Sequence, residues 1–276
     1  MPELPEVQTI ANELNAAGMP GHRIRTVSVT WPRSIANISP RVFSHQLSGC
    51  TIRAVRRRAK YIIFDLDQRD KTLLIHLRMS GRLRLCDGAT VRDRHEHVCI
   101  VFSDGSELRL HDTRKFARLY LCKSADIVTA HLGPEPLDPA FTLAEFRTML
   151  AQRSRMLKPL LLDQRFIAGL GNIYVDEALW EAGLHPCRRA DTLTQKEGKQ
   201  LFSAIPRVLI RGLRNMGTSL GTGEANFFSV AGRRGGNSAN LRVFRKTGLP
   251  CPRCGVSIKR IVVGQRSTHI CPACQR

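Results

Sequence analysis

The chain has 276 residues, with 43 Lys and Arg against 23 Asp and Glu. The resulting formal charge of +20 and pI near 10.5 point to a polyanionic partner, a nucleic acid or an anionic membrane. The length allows two domains with their own cores, and 42% hydrophobic and 24% charged residues are ordinary for a soluble globular protein. No apolar run approaches the roughly 18 residues of a membrane span, and the polar N-terminus does not read as a signal peptide, so a cytoplasmic nucleic-acid binder is expected. Of the nine cysteines, four form two CxxC pairs. The other five, Cys50, Cys86, Cys99, Cys122 and Cys187, are scattered and odd in number, which is thiol usage and not a disulfide framework.

The chain opens Met1-Pro2-Glu3-Leu4-Pro5-Glu6, and the spacing of Val7, Ile10, Ala11 and Leu14 predicts a helix starting near Glu3. Removal of Met1, usual before a small residue, leaves Pro2 with a free secondary amine. An α-amino group titrates at about 7.7–8.0 against about 10.4 for lysine, and the positive end of a helix lowers it again. Pro2 is therefore a candidate nucleophile and Glu3 a candidate proton carrier, although the same residues also suit a plain first helical turn. Strands are expected over 24–30, 61–67, 73–77, 98–102, 108–110 and 116–121, with Asp104-Gly105 as a hairpin turn, giving an antiparallel sandwich or barrel. The proline-rich stretch 133–139 marks a domain boundary. Helices follow, two of them opened by capping boxes at Thr142-x-x-Glu145 and Thr194-x-x-Glu197. A stretch rich in Gly, Ser, Asn and Arg over 217–240 reads as a mobile loop.

Cys251-Pro252-Arg253-Cys254 and, after sixteen intervening residues, Cys271-Pro272-Ala273-Cys274 suit a tetrahedral structural Zn²⁺, with an iron site the main competitor. Lys259, Arg260 and Arg266 lie between the pairs, where a ribbon could touch DNA. Gly169-Leu170-Gly171-Asn172 lacks the form of a dinucleotide site. It can hold a phosphate on exposed N–H groups with Asn172 and Lys158 as further donors, or be an ordinary helix connection. In Arg56-Arg57-Arg58-Ala59-Lys60 the arginines suit a solvated face or phosphates, and Lys60 stands at the edge of the apolar strand. Met79, Arg114 and Phe116 are side chains that can enter a DNA stack, or core residues in the case of the two apolar ones. His95 and His97, at alternate positions, suit a phosphate or plain surface better than a metal.

Together these stretches resemble the formamidopyrimidine-DNA glycosylase family over essentially the whole chain. The resemblance is carried by Pro2–Val7, Arg57–Tyr61, His76–Gly81, Asp112–Phe116, Gly169–Tyr174 and the four-cysteine finger. It implies an α+β multidomain fold: an N-terminal helix and β-sandwich over 1–132, a linker over 133–139, a helix-two-turn-helix domain over 140–245 and a zinc finger over 246–276 with one Zn²⁺ per chain. It implies a bacterial, monomeric base-excision repair enzyme acting on duplex DNA that contains damaged bases or abasic sites, cytoplasmic and nucleoid-associated when bound. The roles it implies are Pro2 as nucleophile, Glu3 as proton donor in base loss and sugar opening, Lys60 as proton donor at β-elimination, Arg266 as the arginine linked to δ-elimination, and His95, Arg114, Arg153, Lys158 and Asn172 as DNA contacts. Met79, Arg114 and Phe116 would fill the gap left by a flipped nucleotide. Gln8, Ala117, Phe244-Arg245-Lys246 and the stretch 221–240 depart from the family's usual sequence. The expected activity is excision of oxidised purines, 8-oxoguanine and formamidopyrimidines, followed by strand cleavage. The competing readings are an endonuclease VIII type acting on oxidised pyrimidines and a non-catalytic zinc-ribbon DNA binder.

Overall fold

Alternating apolar residues in the first half of the chain give each strand one face to bury. The computed structural model describes residues 1–68, 70–221 and 227–276. Helix α1 (Leu4–Ala16) leads into β1 (Ile24–Val29), α2 (Pro40–Leu47), β2 (Ile52–Arg58), β3 (Tyr61–Leu66), β4 (Thr72–His76), β5 (Arg82–Asp87), β6 (Glu96–Phe102), β7 (Ser106–His111), β8 (Arg118–Cys122) and α3 (Asp126–Thr129). The strands form two four-stranded antiparallel sheets, in the orders β1-β6-β7-β5 and β2-β3-β4-β8. Val98, Ile100 and Phe102 of one sheet and Ile62, Phe64 and Ile75 of the other share a core with Val7, Ile10 and Leu14 of α1, so the expected sandwich is present.

All six expected strands form, with ends shifted by a few residues. β2 and β5 were not foreseen. Their sequences, IRAVRRR and RLRLCD, put arginines at the outward positions, so that Ile52, Val55 and Leu83 alone mark the buried face. The run Arg56–Arg58 is thus strand, paired with β3 from Arg56↔Ile63 to Arg58↔Tyr61.

The later half supplies α4 (Leu143–Ala151), α5 (Leu157–Leu162), α6 (Asn172–Ala182), α7 (Gln195–Arg214), β9 (Lys259–Val263) and β10 (Arg266–Ile270). Thr142 Oγ1 accepts the Glu145 N–H at 3.2 Å, and Thr194 and Glu197 form the reciprocal pair, with Thr194 N–H donating to Glu197 at 2.8 Å. Helix α6 is buried along most of its length and ends at Gly183, whose φ of +73° makes the left-handed cap. Its Glu177, 3% exposed, accepts the successive N–H groups of Arg242, Val243 and Phe244 at 2.8–2.9 Å. Burial pushes that carboxyl up against the pull of these donors.

The chain divides into two compact units, Met1–Ala130 with Asn215–Gly236 and His131–Arg214 with Asn237–Arg276. The first division, after Ala130, lies two residues before the expected boundary at 132, and the segment 215–236, inside the stretch 140–245 expected as one domain, groups with the first unit. The segment 215–236 belongs with the first unit because Glu6 Oε1 accepts the Thr218 N–H at 2.7 Å, Glu13 pairs with Arg233 at 2.7 Å, and Phe227 and Val230 enter the sandwich core. The described part of the loop expected to be mobile is fastened at both ends, while its residues 222–226 lie outside the described residues.

Candidate active site and nucleic-acid interface

Helix α1 begins with Glu3 as its N-cap, and Glu3 N–H donates to Glu6 Oε2 at 2.8 Å in a reciprocal capping box. Pro2 is buried, and Glu3 and Glu6 are 2% and 1% exposed. Two carboxylates at the positive end of a helix are electrostatically favoured there. Gly217, at φ +81°, presses on the same turn: a Cβ there would lie 2.8 Å from Glu6 Cγ.

The register Arg58↔Tyr61 leaves Ala59-Lys60 as a two-residue turn between β2 and β3. Ala59 has φ +52°, a conformation that favours glycine. Arg57 ties this turn to α1, donating through Nε to Gln8 Oε1 at 2.8 Å and through Nη1 to the Ala59 carbonyl at 3.0 Å. Neutral Gln8 therefore still serves as an acceptor for this arginine. Lys60 is only 5% exposed. Burial, with the charges of Arg78 and Lys60, lowers the nearby His76 to about 3, so its imidazole is neutral and its Nδ1 accepts the Arg78 N–H at 3.0 Å.

Met79 and Phe116 are 45% and 42% exposed, which sets aside the core reading for both. The Arg114 guanidinium lies 4.7 Å from the Phe116 ring centroid, a cation–π stack that presents the two together. His95 is half-buried among His97 and His111, with ring centroids 6.4 and 5.7 Å away. His97 corrects the sequence reading: it is 5% exposed, its Nε2 is 3.0 Å from the Asp112 carbonyl, and burial lowers its pKa, so it meets neither surface nor phosphate.

In the second unit Arg153 is exposed, but Lys158 departs from the expectation of a DNA contact. Its side chain has no exposure, and Nζ donates to Asp176 Oδ1 at 2.5 Å and to the Ser267 carbonyl at 3.0 Å. Asn172 Nδ2 donates to the same carbonyl at 3.0 Å. Asp176 Oδ2 accepts the His269 N–H at 2.9 Å. Lys158, Asn172 and Asp176 thus hold β10, the strand that begins with exposed Arg266. The glycine-rich 169–172 turn is in this respect a helix connection that anchors a hairpin. Arg266 follows a two-residue turn, Gly264-Gln265, in register Arg266↔Val263.

A backbone regularity runs through these positions. Among the described residues seven that are not glycine have positive φ, and four of them, Ala59, Arg78, Lys115 and Gln265, directly precede Lys60, Met79, Phe116 and Arg266. Such turns are sparsely populated and concentrate where a side chain must be aimed.

The Sγ atoms of Cys251, Cys254, Cys271 and Cys274 lie within 4.8 Å of one another. Burial opposes ionisation of Cys251, but the Arg253 N–H, the Trp180 indole at 3.4 Å and the Cys254 N–H bring it down to about 6. Burial and the neighbouring thiols push Cys274 up to about 12. Four thiolates this close need a cation to coexist, and the all-sulfur closed donor set fits one structural Zn²⁺ per chain. Gln275 anchors the finger by accepting the Cys271 N–H at 2.9 Å and donating to the Leu184 carbonyl at 3.0 Å.

The antiparallel sandwich with its buried N-terminal turn in the first unit, and the helices and four-thiolate finger of the second, define a class of zinc-finger protein. Residues 1–119 match the family model of the formamidopyrimidine-DNA glycosylase N-terminal domain, residues 132–223 that of its H2TH domain, and residues 248–276 the zinc finger found in FPG and IleRS. The formamidopyrimidine-DNA glycosylase of Protochlamydia amoebophila is 46% identical, with all of both chains covered. A mutant Lactococcus lactis FPG bound to a Fapy-dG containing DNA has the same fold at TM-score 0.92 and 35% identity, again with all of both chains covered. The Lactococcus lactis Fpg bound to DNA containing an abasic site gives TM-score 0.91 at 35% identity over 99% of each chain. The chain belongs to the formamidopyrimidine-DNA glycosylase family.

Proposed function

We propose that this chain performs base-excision repair of DNA, removing oxidised purines and then cleaving the strand at the resulting site. The observation that carries the reading is the first turn of α1, where Pro2 is followed by a buried carboxylate, Glu3, at the helix's positive end. That field disfavours an ammonium and favours the free amine. With Met1 removed, the Pro2 nitrogen attacks C1′ of the damaged nucleotide and the bond from C1′ to the base breaks. The proton that Pro2 loses passes through the Glu3 carboxylate to the departing base, and Glu3, reprotonated from solvent, gives a second proton to the ring oxygen as the sugar opens. A secondary amine can only yield a cationic iminium. This electron sink acidifies the neighbouring sugar carbon and permits β-elimination, with Lys60 as proton donor, and then δ-elimination assisted by Arg266.

Duplex DNA is the partner. Exposed Arg114 and Arg153, half-buried His95 and Asn172 are the donors assigned to it, while Met79, Arg114 and Phe116 occupy the space of the extruded nucleotide. Lys158 acts indirectly in this reading, by fixing Ser267 beside Arg266. The +20 charge supplies a sequence-independent attraction to phosphate, so binding weakens as salt rises. Among the described residues no helix is long and apolar enough to cross a membrane, and a cytoplasmic, monomeric enzyme associated with the bacterial nucleoid fits the reading.

Lesion class is tested by competing excision from 8-oxoguanine and thymine glycol duplexes. The expected result is faster release of 8-oxoguanine. A strong preference for thymine glycol would move the chain to the endonuclease VIII type.

A further inference from the structure

We infer that Asp112 is the positioning residue that sets the three void-filling side chains, an assignment that rests on the proposed function. Asp112 is 1% exposed, and its carboxylate gathers both turns that carry the trio. Oδ1 accepts the Ser80 hydroxyl at 2.5 Å and the Arg114 N–H at 3.2 Å, and Oδ2 accepts the Phe116 and Ala117 N–H groups, each at 2.7 Å. Ser80 adjoins Met79, so one side chain joins the Met79 turn to the Arg114–Phe116 turn. The backbone of Asp112 reaches further: its N–H donates to the His95 carbonyl at 2.9 Å, and its own carbonyl accepts the Lys115 N–H at 3.3 Å.

The two turns need such a clamp. Each holds a residue in the left-handed region, Arg78 at φ +53° and Lys115 at φ +60°, conformations that persist only when their surroundings enforce them. They also touch. A Cβ on Gly81 would lie 2.6 Å from the Leu77 carbonyl oxygen and 3.0 Å from Ala117 Cβ, so the first turn is closed tightly against the second. A carboxylate suits this junction because it accepts on both oxygens at once. An amide at the same place turns one acceptor into a donor facing N–H groups. The trio is thereby set at fixed spacing before DNA arrives, and insertion into the stack need not order it.

The test uses a chemistry-free readout. 2-Aminopurine is placed opposite a reduced, uncleavable abasic site in a duplex, and its fluorescence change is measured with Asp112→Asn, Ser80→Ala and Ser80→Thr at saturating protein. Merely destabilised protein reaches the wild-type amplitude at saturation, whereas a disordered wedge does not. The expected result is an amplitude reduced roughly threefold or more in Asp112→Asn and partly in Ser80→Ala, as expected when hydrogen bonds to a charged group are lost, with recovery in Ser80→Thr. Wild-type amplitudes in both Asp112→Asn and Ser80→Ala would overturn the assignment. Borohydride trapping of the wild-type protein on a natural abasic site, run in parallel, fails only if the proposed chemistry is wrong and leaves the fluorescence result to judge Asp112.

Discussion

Two hairpins in this molecule end in two-residue turns beside a cation assigned to catalysis, and they are held by opposite means. The turn of β2 and β3 carries Lys60 within a four-stranded sheet whose inner face is core, so the side chain is buried and its neighbours fix it. The turn of β9 and β10 precedes exposed Arg266 in a sheet of two strands. A two-stranded hairpin is marginal by itself. Its order comes from four thiolates at one end and the Lys158–Asp176 pair along its length. A cation aimed from a turn can thus be fixed by a core, or by a metal and a buried ion pair where no core is available.

Removing the metal breaks the comparison most sharply. A structural zinc contributes on the order of 10 kcal/mol, so chelation or Cys254→Ser should melt the finger, abolish DNA binding in an anisotropy titration, and leave the thermal transition of the first unit in place. Undiminished affinity after verified zinc loss would show that β9 and β10 stand without it. Next in size is Asp176→Asn. Breaking a buried pair by removing one partner costs about 3–5 kcal/mol, which should lower the urea midpoint of the second unit's transition while the first unit's stays unchanged.

The first unit has its own weak point at His76. Its folded pKa is about 3 against an ordinary 6.5, so the folded state binds fewer protons than the unfolded chain between those values. Stability from a neutral His76 is therefore complete above about pH 6.5 and declines as pH falls toward 3, by up to about 1.4 kcal/mol per pH unit. Melting temperatures between pH 6.5 and 4.5 should fall in the wild type and fall less in His76→Gln. Parallel slopes would remove His76 as the cause.

Much of this was legible in the sequence because burial and turn chemistry leave local signs. The six apolar strands, the helix start at Glu3, the cap at Thr194 and the two CxxC pairs were all readable. Strands β2 and β5 were hidden because arginine fills their outward faces. Lys158 illustrates a limit of another kind: a lysine near a glycine turn reads as a phosphate donor, and only the fold reveals that Asp176, eighteen residues on, has taken it out of solvent. His97 shows the same limit, since alternation along a strand does not tell which face is covered. The organising acids Glu6 and Asp112 stand inside the stretches Pro2–Val7 and Asp112–Phe116 and Asp176 two residues past Gly169–Tyr174, but none of the three has a role that its place in the sequence makes readable. In a chain with only 23 acidic residues, an acid beside each motif was the available signal.

The central claim is that the Pro2 nitrogen becomes covalently joined to DNA. Incubating the protein, with its N-terminus verified by mass spectrometry, with abasic-site DNA and borohydride should trap a stoichiometric adduct that maps to Pro2. The adduct should form much more slowly in Pro2→Gly, whose primary amine gives an imine that is not obligatorily cationic, and in protein that retains Met1, although both still bind DNA. An undiminished adduct in either, or none in the wild type, would contradict the account.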